Sequence, residues 1–169
     1  MNLLRLIAKM KFMPETRRLE LYPPFFKMRA KVLEAQDGWR RLRIRLPLTA
    51  FSSNLSDDMF GGWQAALADP IAALSCARVF PGYSVWTRAM NIAFEKPGST
   101  DLELRFEMPP DQEAAINAEL NANGRATPTF EYGFYLADGS LCTRITNTVA
   151  IRPRGYAKTS TEQMDLNNV

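Results

Sequence analysis

At 169 residues, with 46% hydrophobic and 23% charged content, the chain matches one globular domain long enough to bury a core. The net charge of +3, with basic residues spread along the sequence, gives no single run that points to nucleic acid. Histidine is absent, which excludes Ser-His-Asp and Cys-His catalysis, His-dependent dehydratases and the usual zinc sites. Chemistry is left to carboxylates, hydroxyls, amides, Lys, Arg and backbone dipoles.

Residues 2–11 read as a short amphipathic helix, with Leu3, Leu6, Ile7 and Met10 at helical spacing and Arg5 and Lys9 elsewhere. A basic helix of this kind suits either an anionic lipid surface or packing on its own domain or a partner subunit, and its shortness favours packing. Arg5 and Lys9 interrupt the apolar stretch and no small-residue cleavage site follows, so the expected location is the cytoplasm. No run approaches the ~20 apolar residues of a membrane span.

Pro14, Pro23 and Pro24 break the chain, and Phe26–Ala35 then reads as a strand ending at the hairpin signal Asp37-Gly38. The next run alternates, with Leu42, Ile44, Leu46 and Leu48 on one face and Arg41, Arg43 and Arg45 on the other. The arginine row fits phosphate binding or, as the commoner case, a solvated face that discourages edge pairing.

Asn54–Phe80 holds a polar loop, the pair Gly61-Gly62, and a small-and-apolar helical run broken by Asp69-Pro70. Trp63, Leu67, Ile71 and Leu74 form a bulky face, and Gly62, Ala66, Asp69 and Ala73 a small one. Unpaired N–H groups and partial positive charge at the helix start suit an oxygen that becomes negative. Asp69 has two readings. It is a catalytic carboxylate in a continuous helix, or the cap of a second short helix opening with Pro70. Asn54 fits a turn residue or an amide that orients water or a carbonyl. Cys76 reads as a small buried hydrophobe. Cys76 and Cys142 fit no metal-ligand spacing, and no metal or cofactor is expected.

Downstream, Trp86, Met90, Ile92 and Phe94 alternate within a strand over Tyr83–Glu95. Leu102, Leu104, Phe106 and Met108 mark a half-buried antiparallel strand. A short helix spans 111–123 between Pro109-Pro110 and Gly124, and a last hairpin turns at Asp138-Gly139. Two strands, a long helix, two strands, a short helix and two strands make an α+β layer fold. The division expected is 1–24, helix and linker; 25–152, the sheet-and-helix domain; and 153–169, a loose polar tail.

Asn54, Phe60-Gly61-Gly62 and Ala66-Leu67-Ala68-Asp69-Pro70 together resemble the hotdog-fold acyl-CoA thioesterase superfamily. Within it they are nearest the branch of phenylacetate-pathway thioesterases and an uncharacterised bacterial group. Tyr83-Ser84-Val85-Trp86-Thr87 and Phe94-Glu95-Lys96-Pro97-Gly98 match that group, and the resemblance covers roughly residues 25–152. It implies a curved antiparallel sheet wrapped around one long helix. It also implies a homodimer with a continuous sheet, possible further pairing into a homotetramer, and active sites at the subunit interface. Asp69 becomes general base or nucleophile, a backbone N–H at Gly62 or Gly61 the oxyanion hole, and Asn54 the group that positions water or substrate. Phe60, Gly61, Trp63 and Thr87 are the implied substrate contacts. The chain departs from many relatives at Phe60, where they carry histidine, and at Asp57, where glycine is usual. The implied activity is acyl-CoA hydrolysis; the alternative is a non-catalytic acyl-thioester-binding or scaffolding protein.

Overall fold

The computed structural model describes residues 13–156. The amphipathic segment 2–11 and most of the expected tail lie outside the described residues. The chain opens with two short helices, α1 (Glu15–Glu20) and α2 (Pro23–Lys27), before β1 (Lys31–Gln36). The strand expected from Phe26 therefore starts at Lys31. Pro23 and Pro24 act as helix starters, their fixed φ suiting the first turn and their missing N–H groups costing nothing there.

A 3₁₀ turn over Asp37–Trp39, with all three residues at positive φ, reverses the chain into β2 (Arg41–Leu46). The long helix α3 (Gly61–Val79), β3 (Tyr83–Phe94), β4 (Leu102–Glu107), α4 (Pro110–Asn123), β5 (Thr129–Tyr135) and β6 (Leu141–Pro153) follow. The six strands form one antiparallel sheet in the order β1-β2-β4-β5-β6-β3. α3 packs on it, chiefly against β3 and β6.

Alternation in β2 and β4 holds as read. Leu42, Ile44, Leu46, Leu102 and Leu104 are fully buried, each stabilising the fold by roughly 1.5–3 kcal/mol through area removed from water. The opposite face is an ion row. Arg43 donates to Glu103 at 2.8 and 2.9 Å and to Glu34 at 3.3 Å, and Arg41 reaches Glu107 at 3.3 Å. The arginines are thus answered by carboxylates of neighbouring strands, which is the solvated-face reading.

β3 departs from simple alternation. A bulge between Thr87 and Ala89 shifts the register against β6, so the inward phase is odd at Tyr83 and Val85 and even at Met90 and Ile92. Trp86 and Phe94, grouped with Met90 and Ile92 by spacing, are exposed instead.

α3 is one continuous helix with Pro70 inside it, so Asp69 does not cap a second helix. Its buried stripe is wider than the bulky face. Leu67 and Ile71 are fully buried, but so are Ala68, Ala72, Ser75 and Cys76, whose small side chains let the sheet approach closely. Trp63 and Leu74 are only half-buried. The far end of α3 is tied to α1 and the 3₁₀ turn. The Glu15 carboxylate accepts from both Arg78 and Trp39 Nε1, while the Arg78 guanidinium lies 4.9 Å from the Trp39 ring centroid.

Candidate functional site

α3 starts without a side-chain cap, because its N-cap residue, Phe60, has no oxygen to offer. The loop before it is instead pinned by main chain, with Phe60 N–H donating to Ser52 O at 2.7 Å and Met59 N–H to Gly98 O at 2.8 Å. The glycine pair follows for steric reasons. A Cβ on Gly61 would sit 2.8 Å from the Phe94 ring, and one on Gly62 would collide with the Phe60 ring. Two exposed aromatic rings thus lie over bare backbone at the positive end of the helix.

Beside this helix start is a cleft of about 460 Å³ lined by Asn54, Asp58, Gly61, Gln64, Phe94 and Lys96, among others. Its size falls in the range of small-ligand sites, about 300–1,000 Å³. Asn54 is half committed. Its Oδ1 accepts from Ser56 N–H at 2.8 Å and Asp58 N–H at 3.2 Å, which shapes the loop, while its Nδ2 makes no hydrogen bond among the described residues.

Gln64 escaped the sequence reading. It is buried at 2% exposure on the first turn, with Oε1 accepting from the buried Thr143 hydroxyl, and it lines the cleft. The available signal was an amide on the sheet-facing side of the helix, one turn past the glycines.

Asp69 stands apart from the cleft of its own chain. It is exposed and lies eight positions beyond Gly61 on the helix, about 12 Å along the axis. Its main-chain carbonyl, by contrast, is firmly held. The Thr87 hydroxyl donates to it at 2.7 Å from β3, and Asn147 Nδ2 donates at 3.1 Å from β6. Asn147 Nδ2 also donates to the Tyr132 hydroxyl at 2.9 Å, and that hydroxyl donates to Ala68 O at 2.8 Å. Three strands therefore grip the two peptides that precede Pro70. Burial pushes the Tyr132 phenol well up, with the Asp69 charge adding and the Asn147 bond opposing, so it remains a donor.

Of the residues singled out in sequence, Asn54, Phe60, Gly61, Gly62 and Trp63 gather at the helix start, while Asp69 and Thr87 meet further along the helix. Trp63 anchors the loop by donating from Nε1 to Phe51 O at 3.2 Å. Thr87 spends its hydroxyl on the Asp69 peptide. Cys76 and Cys142 are buried and unbridged, and burial pushes the Cys76 thiol up to about 12, which removes it as a nucleophile. No cluster of three potential metal ligands and no helix long and apolar enough to cross a membrane occurs among the described residues.

No family model and no curated protein matches the chain. Solved structures do. A Pseudomonas aeruginosa protein of unknown function, called a probable thioesterase, superposes with a TM-score of 0.73 at 15% identity, covering 84% of this chain and 97% of that one. The chain has the hotdog fold. A Chlorobaculum tepidum protein of unknown function gives 0.68 at 15% identity, covering 89% and 96% of the two chains. A thioesterase from Haemophilus influenzae gives 0.62 at 12% identity, covering 84% and 91%. At these identities the likeness is one of architecture, and the hotdog sheet around α3 is what the proteins share.

Proposed function

We propose that this hotdog protein hydrolyses an acyl thioester, with acyl-CoA as the substrate class, at a site completed by a second copy of the chain. The observation that carries this reading is the placement of Asp69. The carboxylate is exposed, its peptide is fastened to β3, and it lies about 12 Å along the helix from Gly61, outside the lining of the cleft of its own chain. β3 is an edge strand of 12 residues whose outer side pairs with nothing among the described residues. Such an edge is a template for pairing. Two β3 edges meeting about a two-fold axis extend the sheet and carry each Asp69 toward the partner's glycine-marked helix start. A homodimer, or a dimer of such dimers, is the assembly this reading requires.

The chemistry follows from the groups present. A carboxylate at Asp69 accepts a proton from water as the water oxygen attacks the thioester carbonyl carbon. The carbonyl oxygen gains the charge and is held by the N–H of Gly62 or Gly61 at the uncapped end of α3. Collapse breaks the C–S bond and releases the thiolate, which takes up a proton. The free Nδ2 of Asn54 orients the water or the acyl carbonyl, and the Phe60 ring, lying against Gly62, walls the acyl group, while Trp63 holds the Phe51 loop beside it. Direct attack by Asp69 on the thioester carbonyl, with loss of the thiolate, forms an acyl anhydride in the same geometry, and water attacking its aspartyl carbonyl would leave solvent oxygen in the Asp69 carboxylate.

The test is hydrolysis of acetyl-, hexanoyl-, palmitoyl- and phenylacetyl-CoA by the full chain and by Asp69→Asn. The expected loss of kcat in the variant is about 10²–10⁴-fold, the usual worth of a positioned base. Wild-type turnover by Asp69→Asn sinks the assignment. Binding across the panel without turnover selects the non-catalytic acyl-thioester-binding reading. A preference for phenylacetyl-CoA would support the narrower phenylacetate-pathway resemblance.

A further inference from the structure

A groove of about 810 Å³ lies between α1, α2 and the start of β1, and its Lys27 and Arg29 also border a smaller depression with Phe51 and Trp63. Its apolar lining includes Met13, Leu21 and Phe26, and Phe26 is 64% exposed. Cations border it. Lys31 is drawn toward the buried Glu20 at 3.3 Å, but Lys27 and Arg29 are exposed and make no ion pair among the described residues. Charge along the chain is uneven in the same place. Residues 1–31 contain eight Lys and Arg against two Glu, an excess of six, whereas the entire chain carries only +3. The remainder is therefore net acidic, and residues 13–31, which build this groove, hold five Lys and Arg against two Glu.

We propose that this face docks on an anionic phospholipid bilayer. An exposed aromatic flanked by free cations matches the interface of such a bilayer. The ring enters the boundary between headgroups and acyl chains, and Lys27 and Arg29 meet lipid phosphates. The competing occupants fit the charge less well. A second copy placed here about a two-fold axis would set Lys27 and Arg29 against their own equivalents. A nucleic acid would satisfy the cations and leave the apolar groove lined by Met13 and Leu21 idle. The preceding residues extend the same composition, with Leu3, Leu6 and Ile7 beside Arg5, Lys9 and Lys11 and no acidic residue before Glu15. This inference does not depend on the thioesterase reading.

Co-sedimentation of the full chain with phosphatidylcholine vesicles, with and without phosphatidylglycerol, tests it. The chain should pellet only with the anionic vesicles, and less as salt rises. Lys27→Glu with Arg29→Glu should weaken binding by at least about 30-fold, from roughly a kilocalorie per cation near such a surface. Phe26→Ser should weaken it while keeping the salt dependence. An unchanged thermal melt shows that either variant keeps the fold. Equal pelleting on neutral vesicles, none on either, or wild-type behaviour of the double variant overturns the proposal. So does equally tight binding of duplex DNA lost in the same double variant. So does a self-association that the double variant dissolves.

Discussion

Thr87 illustrates how much a residue's role depends on what its hydroxyl meets. The resemblance places it among substrate contacts, and the structure uses it to hold the Asp69 carbonyl at 2.7 Å. A β-bulge one residue later aims it there, since the strand's phase changes between Thr87 and Ala89. If Asp69 is the catalytic carboxylate, Thr87 positions it without touching substrate. Thr87→Val should then lower kcat roughly tenfold with KM unchanged, because small misplacements of a catalytic group are costly. Thr87→Ser, which keeps the donor, should restore kcat. Steady-state kinetics of the two variants decide the matter, and equal impairment of both would point to packing instead.

Residues of this kind were only partly legible beforehand. Asp69 and the glycine pair stood out because an acidic residue and bare backbone are unusual in a small-and-apolar helix. Gln64, Tyr132 and Asn147 did not. A polar residue in an alternating strand reads as solvent-facing, and only tertiary structure reveals that Asn147 is wholly buried and bonded to two groups of other elements.

At the level of elements, the clearest case is the pair β2 and β4. Their apolar positions were readable because one face is buried and the other is not, and period-two alternation follows directly. The outward face has a consequence for acid stability. The Arg43 hydrogen bond, helped by Arg105, holds the Glu103 carboxyl below its ordinary 4.5, and Arg40 does the same for Glu113 on α4. Both carboxyls are therefore lower in the folded than in the unfolded chain. Their contribution is complete above about 4.5 and disappears as pH falls through the folded values. Denaturant midpoints measured toward low pH should fall below about 4.5, and Glu103→Gln with Glu113→Gln should flatten that fall. The neutral-pH cost of the double change should be small, since both pairs are partly solvated.

Elements without a buried-to-exposed contrast were harder to read. α2 was hidden by its two prolines, which break a helix internally but begin one well. The bulge in β3 leaves no compositional mark, so spacing alone groups Trp86 with Met90 and Ile92 although it is exposed.

For the molecule as a whole, the exposed Trp86 on an unpaired edge strand bears on assembly. If the catalytic unit is two chains joined along β3, Trp86→Asp should yield a folded monomer, because the residue contributes nothing to the core of one chain. Sedimentation velocity would show the smaller species, and turnover should be lost with it although Asp69 and the glycine pair are intact. A monomer with full activity would mean that one chain suffices.

The bare start of α3 has a thermodynamic consequence. Ser, Thr, Asp or Asn at position 60 would close the helix and contribute about 0.5–2 kcal/mol, and Phe60 forgoes that. An acyl oxygen seated on the N–H groups of Gly61 and Gly62 would stand in for the missing cap. Folding and occupancy then become linked quantities, each raising the other. A sequence change that stabilised the empty protein by capping this helix would compete with the ligand for the same hydrogens. On that view the helix is left incomplete at the one end where a substrate can finish it.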